Sequence, residues 1–405
     1  MKILGIQFGK EEPTSIPLPE LGMDFASVNN NWGGNGVYNR GSGDLGDPYV
    51  EMYRGEGPIY FGQDNLYPDH LNDLYNRSSL HSAIVDFKKE LISGGGFELD
   101  GLEALSASEK LSLIQFRDYI DGEDSLQIVV SKLVMDYLIH GTMYMKLYWN
   151  SDKTKLLKAE RVEPSKIRVG VGTDYEKVSK YFYSFDWKEY GRYGMKEIPN
   201  FNYTSSAHIE IIRFVNPNPT VNWYTLPSYS SAANWVDLDG DVSLYHKSNI
   251  ENSVNPSMAI KFPERPASEE EKRKILNGIK RQAQGAKNAG RSMVFFADGK
   301  DNLPEIETIT VSNIDKQFNV TSDHIQRNIC YSHRINPLIL GFKTPGSLGN
   351  GAELDYAYEI FTKSVIHPAQ KDIEGFINKI LKLKGLPVKF VFNDNELYSK
   401  KEIEQ

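Results

Sequence analysis

Leu226-Pro227-Ser228-Tyr229-Ser230-Ser231-Ala232-Ala233-Asn234-Trp235-Val236-Asp237-Leu238-Asp239-Gly240-Asp241-Val242-Ser243-Leu244-Tyr245 is the stretch on which the fold turns. Its apolar residues fall into two helical stripes. Tyr229, Ala232, Ala233 and Val236 form one, and Trp235, Leu238, Val242 and Tyr245 the other. A surface helix needs one apolar stripe. Two stripes predict a long helix, from Ser228 to about Asn252, buried from two sides. The remaining face carries Asp237, Asp239 and Asp241. Their D-x-D-x-D spacing is that of a calcium loop. Val242, however, stands where that loop needs glycine, and Ser248 where it needs a bidentate glutamate. The better reading is an acidic helix face.

Upstream, Tyr67-Pro68 opens a helix with proline in its first turn. A second helix is capped by Ser78 or Ser79, carries Leu80, Ile84, Phe87 and Leu91 on one face, and stops at Gly94-Gly95-Gly96. A third runs from about Ser125 to His140, with Leu126, Val129, Val130, Leu133 and Tyr137 at helical spacing. The period then drops to two: Met143, Met145 and Leu147 alternate with Tyr144 and Lys146. Further strand-like runs follow at 167–171, 181–187 and 207–215. Helices followed by an antiparallel sheet define an α+β chain rather than a βαβ one. Residues 1–60 read as a flexible arm, because glycines from Gly33 to Gly46 lie among asparagines with few aliphatic residues to bury.

Downstream, 256–312 reads as a small α/β insert. It has a strand at 258–262, a helix opened by the capping box Ser268-Glu269-Glu270-Glu271, and strands at 293–296 and 306–311. A helix from about Asp315 to Arg334 carries Phe318, Ile325 and Ile329 in register and ends at Asn336-Pro337. A glycine-rich loop follows, then a helix from Ala352 to about Lys384 that Pro368 should kink.

Composition narrows the function. The chain has 405 residues, 54 acidic and 46 basic, for a net charge of −8. Proteins that coat nucleic acid are usually basic, so contact with DNA would be local. The single cysteine, Cys330, excludes an internal disulfide framework and a cysteine-rich zinc site. No apolar run approaches the ~18 residues of a membrane span, and the N-terminus lacks a signal-peptide pattern. A soluble intracellular chain without membrane contact is expected.

Local motifs offer no enzyme. Gly41-Ser42-Gly43-Asp44-Leu45-Gly46 matches G-x-G-x-x-G, but no strand precedes it and Asp47-Pro48 follows. Gly9-Lys10 lacks the earlier glycine of a phosphate-binding loop. His324, Cys330 and His333 share one helix, yet the two histidines lie about half a revolution apart, so a straight helix cannot bring both to one metal. No cofactor and no metal are expected. From Lys272 to Arg291 there are seven basic residues and no acidic one. That run is either a solvated helix face or a contact for nucleic acid or an acidic partner.

Four stretches, taken in order, give the chain a likeness. They are Asp64-Asn65-Leu66-Tyr67-Pro68 through Gly94-Gly95-Gly96-Phe97; Leu226-Pro227-Ser228-Tyr229; Asn288-Ala289-Gly290-Arg291; and Arg334-Ile335-Asn336-Pro337-Leu338-Ile339-Leu340-Gly341. Over about residues 60–385 the chain resembles the tailed-bacteriophage portal proteins of the HK97 type. The resemblance implies a ring, typically of twelve subunits, at one capsid vertex, with double-stranded DNA passing through its channel. The implied partners are other copies of the chain, the viral DNA, the terminase, the head-completion or adaptor protein that replaces it, and the major capsid protein. The implied location is the virion, reached by assembly in the host cytoplasm.

Carried over, 61–225 and 352–384 form the wing, 226–255 and 313–336 the stem helices, 256–312 the clip and 337–351 the tunnel loop. Residues 385–405 form a tail or reduced crown. Lys343, Thr344, Ser347 and Asn350 would reach DNA from the loop. Asp237, Asp239 and Asp241 would line the channel. Lys272, Lys274, Lys280, Arg281, Lys287 and Arg291 would meet the terminase or adaptor.

The residues agree with a ring. Twelve helices spaced at about 9–10 Å give a circle of axes roughly 36 Å across, leaving roughly 26 Å of clear width. Two alternatives stand: a β-rich hydrolase using paired carboxylates, which would be a monomer or dimer, and another structural phage protein such as an adaptor or minor capsid component.

Overall fold

The first strand forms earlier in the chain than the glycine-rich start suggests. In the computed structural model, β1 (Glu51–Met52) pairs antiparallel with β2 (Tyr60–Phe61). The Glu51 carboxylate accepts the backbone N–H groups of Asn222, Trp223 and Tyr224 at 2.8–2.9 Å. Ile59 is fully buried and bridges to Val169. Residues 51–52 and 57–60 of the expected arm therefore belong to the folded body. One carboxylate with three donors, and a buried Ile59-Tyr60-Phe61 step, tie them down.

The structure describes residues 51–52, 57–172, 177–201, 206–216, 218–219, 221–252, 258–261, five positions between 268 and 277, 305–308, 314–342 and 351–393. All belong to one unit, Leu45–Gln405.

The predicted helices follow. α1 (Tyr67–Arg77) has Pro68 in its first turn. α2 (Ser79–Ser93) is capped by Ser78, whose Oγ accepts the His81 N–H at 3.1 Å. After the glycines comes β3 (Phe97–Asp100) and then an unforeseen helix, α3 (Ala107–Asp118), opened by a capping box between Ser106 and Glu109. α4 (Leu126–His140) buries Leu126, Val129, Val130, Leu133, Val134 and Ile139 in the core and leaves Gln127, Ile128 and Lys132 exposed near its start. A broad apolar face with a narrow polar strip marks a helix largely covered by its neighbours.

Gly141 ends α4 in the left-handed conformation and turns the chain into β4 (Thr142–Trp149). The expected single sheet is two. β5 (Leu156–Val162), β6 (Ile167–Val171), β7 (Val178–Tyr183), β8 (Lys196–Pro199) and β9 (Ile209–Val215) complete them in the orders β5-β4-β9 and β6-β7-β8, all antiparallel. Tyr144 of the first meets Tyr181 of the second edge-on, with ring centroids 5.7 Å apart.

The long helix is α5 (Ala233–Asn252), entered through a 3₁₀ turn at Ser230–Ala232. β10 (Met258–Lys261) pairs antiparallel with β11 (Glu305–Thr308), closing the insert at its base. The expected strand at 293–296 lies outside the described residues. α6 (Ile314–Ser332) is the second long helix, and a 3₁₀ turn at Pro337–Leu340 follows it, capped by Asn336. α7 (Gly351–Phe361) continues into α8 (His367–Lys384) through a π-helical turn at Thr362–Ile366, just ahead of Pro368.

The chain does not become a tail at residue 385. β12 (Lys389–Phe392) pairs with β3, and Leu386, Val388, Phe390 and Phe392 are buried. Phe97 stacks on Phe390 at 4.6 Å. Four apolar side chains seal the end of α8 and join residues 386–392 to β3.

Gly141 is the tightest corner. Its φ is +72°, and a Cβ there would lie 2.8 Å from the Leu226 carbonyl oxygen. Gly141→Ala should lower the urea-unfolding free energy by about 2 kcal/mol or more, combining left-handed strain with a backbone collision. An unchanged midpoint would contradict this reading of the corner.

Candidate functional site

The acids of α5 have partners inside the subunit. Arg77, the last residue of α1, places Nη1 2.8 Å from Asp237 Oδ1 and Nη2 2.5 Å from Asp241 Oδ1. Ser78 Oγ donates to Asp239 Oδ2 at 2.7 Å. Gly240 lets the helix come close: a Cβ there would sit 3.1 Å from Arg77 Cβ. Asp237 is buried.

Asp237, Asp239 and Asp241, the residues expected to line a channel, are thus all partnered within the subunit, with Asp237 buried and Asp241 still exposed. These acids fasten the stem helix to the α1–α2 corner, and Asp239 sits beside the positive N-terminal end of α2. The bound guanidinium and hydroxyl also account for the acids without calcium. Among the described residues, no three His, Cys, Asp or Glu side chains are placed to hold a metal ion.

Of the two apolar stripes, Tyr229, Ala232 and Val236 are buried inside the subunit. The other stripe is not covered. Trp235 and Val242 are half-buried, Leu238 and Tyr245 are exposed, and the neighbouring Leu244 is 53% exposed. The same holds beyond α5. On α6, Ile325, Ile329 and Cys330 are buried, while Val320 and Tyr331 are exposed. On α7, Tyr356 is 68% and Ile360 50% exposed. Large apolar side chains thus stand in water on three consecutive long helices.

Where the two long helices meet the wing there is a buried polar chain that sequence reading did not find. Lys88 Nζ lies 3.0 Å from His333 Nδ1, and His333 Nε2 lies 2.9 Å from His81 Nδ1. The charged Lys88 can only donate. His333 must then carry its proton on Nε2 and donate it to His81, which carries its own on Nε2. That last nitrogen is buried without a hydrogen-bond partner. Tyr229 packs on both rings, with centroids 4.3 and 5.4 Å away, and donates its hydroxyl to the Ile139 carbonyl at 2.8 Å.

Burial, then the like charge of Arg334, brings Lys88 down to about 7. Burial, then Lys88, brings His81 down to about 3. Burial holds His333 well below its usual range, with Lys88 and His81 adding to it. His324 is exposed and takes no part, and buried Cys330 is a packing residue whose thiol burial pushes up to about 11.

The remaining expected site residues fall largely outside the described residues: Lys343, Thr344, Ser347 and Asn350 on the loop, and Lys272, Lys280, Arg281, Lys287 and Arg291 in the insert. Lys274 is described, helical and exposed.

A two-sheet wing, paired long helices, a strand-based insert and a long interrupted helix define the portal class of phage capsid proteins. The phage portal protein family matches residues 124–403, and the chain belongs to that family. Among relatives, the probable portal protein of Escherichia phage P2 is 21% identical over 254 residues, spanning 62% of this chain and 67% of the relative. Among solved structures, a chain from the neck of an empty gene transfer agent particle, treated with C6 symmetry, aligns with a TM-score of 0.56. It is 17% identical, covering 84% of this chain and 87% of that one. An HK97-family phage portal protein from Corynebacterium diphtheriae aligns at 0.50, with 11% identity, over 80% of this chain and 95% of that one. At these identities the structural likenesses establish the fold.

The buried chain makes stability depend on pH. Lys88 sits near 7 when folded and at 10.5 ordinarily, so the unfolded state holds more protons between those values and stability rises with pH across that window. His81, at about 3 against 6.5, adds a rise between pH 3 and 6.5. Lys88→Met should flatten the upper rise, a change of a few kcal/mol by urea unfolding at pH 7, 8.5 and 10. An identical slope in the variant would remove Lys88 from the account.

Proposed function

We propose that the chain is one wedge of a ring at the capsid vertex, of twelve copies on the family pattern. Double-stranded DNA is packaged and released through the ring. The observation that carries the reading is the uncovered apolar side of α5, α6 and α7. Contiguous exposed apolar surface marks a contact, and a wedge flanked by copies of itself covers it on both sides. The reading assigns the chain no catalytic residue and no cofactor. It places the ring in the virion, after assembly in the host cytoplasm.

Within this reading the loop residues Lys343, Thr344, Ser347 and Asn350 touch the DNA backbone. The basic run of the insert, with Lys272, Lys274, Lys280, Arg281, Lys287 and Arg291, docks the terminase and then the head-completion or adaptor protein. The wing meets the major capsid protein.

The ring is tested by native mass spectrometry and negative-stain microscopy. The wild-type chain should form closed rings. Leu244→Asp and Tyr331→Asp should each yield monomers with unchanged circular dichroism, because a carboxylate forced into an apolar contact costs several kcal/mol. Rings that persist in both variants would end this assignment of the contact.

Docking is tested on assembled rings. Lys280→Glu with Arg281→Glu should weaken terminase binding at least about tenfold while rings stay intact. Unaltered binding would remove the basic run from the docking surface.

A further inference from the structure

The two wing sheets lie face to face at one end and part at the other. At the parted end is an open groove of about 520 Å³, lined by Lys146 and Tyr148 of β4, Tyr183 of β7, Lys196 to Pro199 of β8 and Ala207 to Ile209 leading into β9. Strand register explains the lining. Tyr144, Lys146 and Tyr148 point to one face of their sheet, and Tyr181 and Tyr183 point towards them. The tyrosines at the closed end, Tyr144 and Tyr181, pack on each other. Those at the open end do not, and lysines fill in.

The groove carries more positive charge than negative. Lys146 Nζ sits 4.3 Å from the centre of the Tyr183 ring and 3.8 Å from Glu160. Lys158 Nζ sits 4.5 Å from the Tyr148 ring and 3.6 Å from the same carboxylate. Glu160 also accepts the Tyr148 hydroxyl at 2.7 Å. Lys196 makes no ion pair among the described residues, and Glu197 is bound by Lys180 at 2.8 Å. One carboxylate thus answers three ammonium groups. Burial, and then the like charges of Lys196, Lys158 and Lys166, hold Lys146 below its ordinary range against the pull of Glu160.

We propose that this groove binds an acidic, extended peptide segment of a partner protein. Its carboxylates would pair with Lys146 and Lys196, and an apolar side chain would rest on Ile198, Pro199 and Ile209. Charge and shape select that occupant over nucleic acid. Single strands need open aromatic faces for bases, and here a lysine stands over both Tyr148 and Tyr183. Glu160 and Glu197 on the walls would repel an unbroken row of phosphates, whereas a peptide can space its carboxylates around them. None of the groove's lining residues lies on α5–α7, so the proposal does not rest on the ring contact.

The probe is a fluorescein-labelled peptide, Glu-Glu-Leu-Glu-Tyr-Glu, titrated with the full chain and followed by anisotropy. An oligothymidylate of equal charge and a hexaglutamate serve as comparisons. The labelled peptide should bind and should outcompete both. Lys196→Glu, at an exposed position that leaves the fold alone, and Lys146→Met should each weaken binding at least about tenfold. Lys371→Met, exposed on α8, should not. No binding by the wild-type chain, equal loss in Lys371→Met, or tighter binding of the oligothymidylate would each overturn the proposal. Rings that form normally in Lys196→Glu would show that such a failure is separate from any failure to assemble.

Discussion

A single guanidinium sets the architecture. Arg77 ends α1 and grips Asp237 and Asp241 of the long helix α5, while its neighbour Ser78 caps α2 and also holds Asp239. With its acids drawn to this corner, α5 can rotate in only one sense. Tyr229, Ala232 and Val236 go inward, and Leu238, Leu244 and Tyr245 are left outside. A partly buried, bidentate arrangement of this kind is worth more than an exposed pair and is direction-specific. The outward apolar side follows from where the charges are satisfied.

The wing supplies the counterweight. α4 sets its broad apolar face into the core, β3 and β12 close over the end of α8, and Glu51 binds the backbone of Asn222–Tyr224. Some polar groups inside this body are held by partners far away in the chain. Arg168, fully buried, donates to the Asn65 carbonyl, 103 residues away, as well as to its neighbours Ser165 and Ile167, and packs on Trp187. The Lys88–His333–His81 chain crosses from wing to stem in the same way. Buried polar groups joined like this fix one arrangement of elements, because any other leaves charge or donors stranded.

Local signals in the sequence were sufficient for the elements that obey one rule at a time. Ser78 and Ser125 as helix starts, Pro68 in a first turn, the period-two run after Gly141 and the stop at Asn336-Pro337 all read directly. Three kinds of element escaped. α3 has an ordinary capping box, but exposed Leu111 and Ile114 alongside buried Leu113 and Phe116 blur its single face. β5 and β8 mix lysines and glutamates with apolar residues, so their alternation does not separate apolar from polar. β12 is short and follows Gly385, where it reads as a tail. The partners of the acidic face and of His333 were beyond reach for a simpler reason. Arg77 lies 160 residues from Asp237, and His81 lies 252 from His333; spacing along a chain says nothing about such pairs.

The wide turn at Thr362–Ile366 carries one surplus residue. In a helix that amounts to a phase shift of roughly 100°, so α7 and α8 cannot present their apolar sides in common alignment. Phe376, Ile377 and Ile380 serve the interior, while Tyr356 and Ile360 are dialled away from it. One length of chain thereby keeps two addresses, one within the molecule and one beyond it.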